Sequence, residues 1–159
     1  MDIFNEETKK QILELQTKYA GKRIGFTCSA FDIFHCGHVL MLEDGKQYCD
    51  ILIVGLHTNP NIDRSSKNKP IQEYEEREIQ IRGCKYVDEI IKYATEADLL
   101  QILHTLQPQV RILGTDWKGK QYTGCDIEKI DIHWHERTHN WSTSYLRERV
   151  YKAEVEKRS

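Results

Sequence analysis

Two histidines three positions apart, His35 and His38, flank Cys36 and Gly37 where one apolar run ends and another begins. The run before them, Ile24 to Cys28, reads as a buried strand, and the run after them, Val39 to Leu42, reads as the start of a packed helix. A helix start presents unpaired N–H groups and partial positive charge, which together attract phosphate. Gly37 lets the backbone approach an anion with no Cβ in the way. Residues i and i+3 share a helix face, so both imidazoles can aim N–H groups at one centre. The plainer alternative is that one ring caps the helix and the other packs in the core.

Further groups could serve the same anion. Lys67 and Lys69 lie in a polar loop, Asn59 to Lys69, that is longer than a connection requires. Flexible cations there can close over phosphate, the alternative being solvated loop charge. Gly114 and Asp116 follow another apolar run; Gly114 permits close approach, and Asp116 can accept from a hydroxyl or amine or simply close a turn. Arg137 offers a bidentate fork. Ser142 and Thr143 open a helix and make a second anion site. Trp141 suits stacking on a base or packing as a core or lid residue. Thr95 and Glu96 stand beyond the third strand, where an acceptor could be read. His133, His135, His139 and Cys125 suggest zinc, but their spacing fits no standard ligand pattern.

Positioning these groups takes an alternation of strands and helices. Asn5 caps a helix that runs to about Tyr19, and Gly21 stops it. Strands are expected over 23–29, 51–56, 86–91, 110–114 and 129–135, and helices from His38 to about Tyr48, over 73–84, from Thr95 to Leu106, and from Ser142 to about Lys157. Such alternation means βαβ units, so the expected fold is α/β: a Rossmann-like open parallel five-stranded sheet with helices on both faces, plus an extra N-terminal helix. One domain is expected over 1–159, with residues 1–21 as a helical extension and 22–159 as the core. In such sheets, ligands bind at the carboxyl ends of the strands, where these motifs fall.

Composition excludes some classes. The chain has 159 residues, 39% hydrophobic and 30% charged, with net charge −2, which lacks the basic footprint of a nucleic-acid protein. No apolar run is long enough for a membrane span, and the acidic N-terminus is unlike a secretory signal. Five cysteines without a CxxC pair read as reduced thiols, so a cytoplasmic location is expected.

Phe31-Asp32 followed by His35-Cys36-Gly37-His38 resembles the HxGH signature of the nucleotidyltransferase superfamily. Tyr74-Glu75-Glu76-Arg77, Tyr86-Val87-Asp88-Glu89, Gly114-Thr115-Asp116-Trp117 and Arg137-Thr138 with Ser142-Thr143 are similar to the YExR, YVDE, GxDW and RTEGIST stretches of its cytidylyltransferase branch, typified by glycerol-3-phosphate cytidylyltransferase. Departures are Ser29-Ala30 for Gly-Thr, Lys85 for Arg, and His139, Asn140 and Trp141 for Glu, Gly and Ile. The resemblance implies transfer of CMP from CTP to a small phosphorylated acceptor, with Mg²⁺ accompanying the nucleotide. The alternatives are an adenylyltransferase using ATP and a non-catalytic nucleotide-binding module. It further implies catalytic roles for His35, His38, Lys67, Lys69 and Arg137. Ser29, Ala30, Phe31, Gly37, Gly114, Asp116, Thr138, Trp141, Ser142 and Thr143 would bind nucleotide, and Lys69, Thr95 and Glu96 the acceptor. No side chain is assigned to a metal. Small relatives suggest a homodimer.

Overall fold

A computed structural model describes residues 3–159; Met1 and Asp2, the start of the acidic N-terminal stretch, lie outside the described residues. The elements are α1 (Glu6–Lys18), β1 (Ile24–Ser29), α2 (Cys36–Lys46), β2 (Ile51–His57), α3 (Tyr74–Arg82), β3 (Glu89–Tyr93), α4 (Glu96–Leu106), β4 (Val110–Gly114), β5 (Asp131–His135) and α5 (Thr143–Arg158), with a 3₁₀ turn over Thr115–Trp117. All strand pairs are parallel, and the sheet order is β3-β2-β1-β4-β5. This is the expected Rossmann-like α/β architecture. Chain direction across the sheet reverses between β1 and β4, so the crevice at their carboxyl ends is the natural ligand position.

The continuous apolar runs become strands because both faces of this sheet are covered. On one face Ile12 and Leu15 of α1 and Leu99, Ile102 and Leu103 of α4 pack on Ile24, Phe26 and Ile53. On the other, Leu42 of α2 and Ile81 of α3 pack on Leu52, Val54 and Ile112. The N-terminal helix is therefore part of the packed body. Its entry is held by buried Asp98, whose carboxylate accepts from the Ile3 and Phe4 amides at 2.9 and 2.7 Å as well as from Ala94 and Thr95. Burial alone would raise the Asp98 pKa, but these backbone donors hold it below the ordinary carboxylate value.

Most expected boundaries shift by a residue or two, and two of the shifts bear on the site. The third strand is Glu89–Tyr93 rather than 86–91. Asp88 is the reason: its carboxylate accepts from the Leu52 amide at 2.8 Å and pairs with Lys46 at 2.5 Å, so it anchors the strand entry and does not join the ladder. The second helix begins at Cys36, inside the histidine motif, with His35 as its N-cap.

Arg77 of α3 ties the carboxyl ends of two strands together. It is 1% exposed, and its guanidinium donates to the carbonyls of Ala30, His57, Thr58 and Gln72. Each nitrogen of the fork has a backbone partner, so the loops after β1 and β2 share one clamp. Among the described residues, no helix is long and apolar enough to cross a membrane.

Candidate active site

The turn after β1 is a strained segment held by its own polar groups. Phe31 and Ile33 both lie at φ 49°, in the left-handed region. Such residues cost on the order of 1–3 kcal/mol each and persist only where the surroundings over-determine them. Asp32 supplies the hold, its two oxygens accepting from the Ile71 and Gln72 amides at 2.9 and 3.0 Å, while the Ile33 amide donates to Gln72 Oε1 at 2.8 Å. The turn drives the Phe31 ring into the core, 1% exposed. There it stands edge-on to the His38 ring at 5.3 Å, and Phe34 stacks on His38 at 5.5 Å. The Phe31 side chain is thus directed into the core, where it supports an imidazole.

The two imidazoles are set by backbone amides. His35 Nδ1 accepts from the Gly37 amide at 3.1 Å, and His38 Nδ1 accepts from the His35 amide at 3.2 Å. An Nδ1 that accepts leaves the proton of a neutral ring on Nε2. Each ring therefore offers an Nε2–H, and the His35 one reaches Thr143 Oγ1 at 3.2 Å. Capping and anion recognition are not alternatives here, because the cap selects the tautomer that donates. Burial holds both rings neutral. The His38 pKa is lowered from 6.5 to about 3 by burial and then by His35. That of His35 is lowered by burial, then by His139 and Arg137.

Thr143 begins α5, so the starts of α2 and α5 face each other. Gly37 permits the approach: a Cβ there would lie 2.8 Å from the Trp141 carbonyl. Ser142 caps α5 by accepting from the Tyr145 amide at 3.1 Å.

Two cavities open on this junction. The first is lined by His35, Gly37, His38, Gly114, Asp116 and Arg137, with Ser29, Trp141, Ser142 and Thr143 completing it. Gly114 leaves the Asp116 carboxylate in place, since a Cβ there would press on Asp116 Oδ1 and push it aside. The second, about 310 Å³, is lined by Arg64, Lys67, Glu96, Arg111, Trp117 and Arg147 among others. Cys28, Ser29, His38 and Thr143 belong to both, so they form the common wall. Ala30 lines the second cavity alone.

Several expected groups do not reach either cavity. Lys69 is exposed on the loop, and Thr138 is exposed after β5. Thr95 is 5% exposed and spends its hydroxyl capping α4, accepting from the Asp98 amide at 3.1 Å. Glu96 reaches the second cavity, but as the partner of Arg64 at 2.9 Å and of the Thr123 hydroxyl. His133 and His135, weighed as zinc ligands, share one oxygen of Asp44 at 2.8 and 2.7 Å, with His135 also at the edge of the first cavity.

Arg64, Arg111 and Arg147 are site residues that the sequence motifs do not single out. Arg64 lies in the loop with the lysines and could have been found there, and its guanidinium also sits 5.2 Å from the Trp117 ring. Arg111 sits in the middle of an apolar strand, which is itself a signal, because a lone charge between Val110 and Ile112 needs a reason.

Comparison with known proteins agrees with this geometry. The chain is 29% identical over 149 residues to the bifunctional protein HldE of Campylobacter curvus, covering 93% of this chain and 31% of that protein. It is 32% identical over 120 residues to HldE of Wolinella succinogenes, covering 75% and 25%. The chain thus spans about a quarter to a third of the length of these relatives. The fold matches a lipopolysaccharide core biosynthesis protein from Thermoplasma volcanium, with TM-score 0.60, 23% identity, and 77% of this chain and 100% of that one covered. It also matches pantothenate synthetase from Thermus thermophilus, with TM-score 0.59, 14% identity, and 81% and 61% covered. The cytidylyltransferase-like family model aligns with residues 26–149, from within β1 to the second turn of α5. That span includes the histidine turn, the Gly114 loop and the facing helix starts, and this chain belongs to the cytidylyltransferase-like family.

Proposed function

We propose that the protein transfers CMP from CTP to a small phosphorylated alcohol, glycerol 3-phosphate or a similar compound, releasing pyrophosphate. One observation carries this reading: His38 and Thr143 lie in the wall shared by two cavities, beneath two facing helix starts that touch through His35 Nε2 and Thr143 Oγ1 at 3.2 Å. A triphosphate in the first cavity and an acceptor phosphate in the second would meet at that wall.

An acceptor phosphate oxygen attacks the α-phosphorus, the bond from Pα to the bridging oxygen breaks, and pyrophosphate leaves with that electron pair. The acceptor is already a nucleophile, so the protein need supply neither a covalent intermediate nor a base. Its contribution is alignment and charge stabilisation. Neutral Nε2–H donors on His35 and His38, fixed by backbone amides, need no reorganisation as charge moves onto the leaving oxygens. Arg137 adds a fork on the nucleotide side, and Lys67 a mobile cation on the acceptor side. Mg²⁺ takes oxygen ligands and keeps several waters and phosphate oxygens. The nucleotide cavity fits it with one carboxylate, Asp116, which would hold an ion carried in on the triphosphate. The ion would neutralise phosphate charge.

Pyrophosphate release measured with CTP and with ATP against a panel of phosphorylated alcohols tests the proposal. Release with CTP that depends on acceptor supports it. Release with ATP alone would transfer the reading to adenylyl transfer, and no release with either would sink it.

A further inference from the structure

Within β4, Val110 and Ile112 face one core, and Arg111 between them points through the opposite face of the sheet, 3% exposed. A guanidinium at that depth has lost its hydration. It needs a counter-charge or a full set of acceptors in exchange. The protein provides only part of that set. One nitrogen donates to the Thr123 carbonyl, a second lies 3.9 Å from Cys28 Sγ, and the Tyr122 ring is 5.4 Å away. Nε is buried without a partner. Among the described residues, no carboxylate forms an ion pair with Arg111. Arg77 is as deeply buried, yet every nitrogen of its fork meets a carbonyl. Burial alone therefore does not explain the unfilled donor on Arg111.

Arg147 of α5 lines the same cavity and also has a buried nitrogen, Nη1, without a partner. Two carboxylates line that cavity, and both are engaged: Asp32 by the Ile71 and Gln72 amides, and Glu96 by Arg64 and Thr123. The cavity therefore holds more cationic donors than its own residues satisfy, and two of them are guanidinium groups reached from different elements.

We infer that Arg111 and Arg147 bind a second anionic group on the acceptor, a carboxylate or a phosphate, distinct from the phosphate that attacks at the His38–Thr143 wall. The inference rests on the nucleotidyl-transfer reading and narrows its acceptor to compounds with two anionic ends. Such a group would supply the missing counter-charge and acceptors, and would fix the acceptor at both ends while one end reacts.

Matched acceptors test it: glycerol 3-phosphate against 3-phosphoglycerate, phosphoethanolamine against phosphoserine, and glycerol 3-phosphate against glycerol 1,3-bisphosphate. The carboxylate and phosphate arms separate the two anions. The wild-type chain should use at least one doubly anionic member with kcat/KM higher by about tenfold or more, because a buried polar site rejects an analogue that leaves it unpaired. Arg111→Met should reduce that preference to near unity. Arg147→Gln lies on a helix with no buried residue. It should reduce the preference while leaving folding intact, which keeps the inference open to refutation even where Arg111→Met fails to fold. Wild-type turnover of the singly anionic members at equal or higher kcat/KM overturns the inference and leaves nucleotidyl transfer standing. No pyrophosphate release with any acceptor, and no thermal shift with CTP or ATP, overturns both.

Discussion

The two cavities meet at one wall but are built of different material. In the first cavity, the one proposed for the nucleotide, the donors are imidazoles whose tautomer backbone amides select at two facing helix starts, with Arg137 beside them. In the second cavity, the one proposed for the acceptor, they are long cationic side chains, Arg64, Lys67, Arg111 and Arg147, drawn from a loop, a strand and a helix. The first kind of site is organised before any ligand arrives, because each donor is pinned by a bond within two or three residues. The second carries unfilled donors and is completed by what binds.

The largest test of this contrast is the shared wall. His38→Ala removes a group that serves both sides, and pyrophosphate release should fall by about 10³-fold or more. Circular dichroism should still show a cooperative melt, and retained turnover would break the picture of a common wall. Arg77→Met acts beneath both cavities by leaving four carbonyls without their buried donor. Urea unfolding should show a loss of about 3 kcal/mol. A change under about 1 kcal/mol would mean the clamp is dispensable.

Two substitutions should separate the sides. Gly114→Ala forces Asp116 aside and should raise the KM for nucleotide by about tenfold while the acceptor KM stays put. Arg64→Ala does the reverse more weakly, raising the acceptor KM by about threefold, since its pair with Glu96 is partly exposed. Equal effects on both constants in either variant would merge the two cavities into one.

The smallest expected effect is on pH dependence. With its pKa near 3, His38 stays a neutral donor, so turnover should not fall through its protonation between about pH 5 and 8. Stability shows the same shift with a defined sign. The folded state binds this proton less readily than the unfolded chain, so the contribution of His38 is complete above its ordinary 6.5 and is lost as pH falls from there toward about 3. A melting temperature that rises on acidification across that window would contradict a neutral, buried ring.

Much of the nucleotide side was legible because its signals are local. His35, Gly37 and His38 occupy one turn, and Ser142 and Thr143 another, so helix-start chemistry could be read from short spacing. The β-run periodicity similarly led to the parallel sheet, and the largest shift of a strand boundary came where a carboxylate interrupted the run, at Asp88. The side chains of Phe31 and Thr95 turn away from the cavities for a shared reason. Each lies beside the functional turn in sequence, but the left-handed backbone at 31 and the helix cap at 95 send their side chains inward. Arg111 was missed for the opposite reason. It lies three residues before Gly114, but its side chain leaves the other face of the strand, and its meaning comes from Cys28 and Thr123, which the fold brings to it, and from Arg147 in the same cavity.

The amino-acid order alone settled the alternation of strands and helices, the order of the motifs, and the presence of two helix starts suited to phosphate, because these depend on contacts between near neighbours. The tertiary structure decided that those starts face each other, that Arg77 locks two strand ends beneath them, and that a strand arginine opens on a second cavity. Such facts rest on side chains separated by tens of residues, whose burial and unfilled donors exist only once the sheet has closed around them.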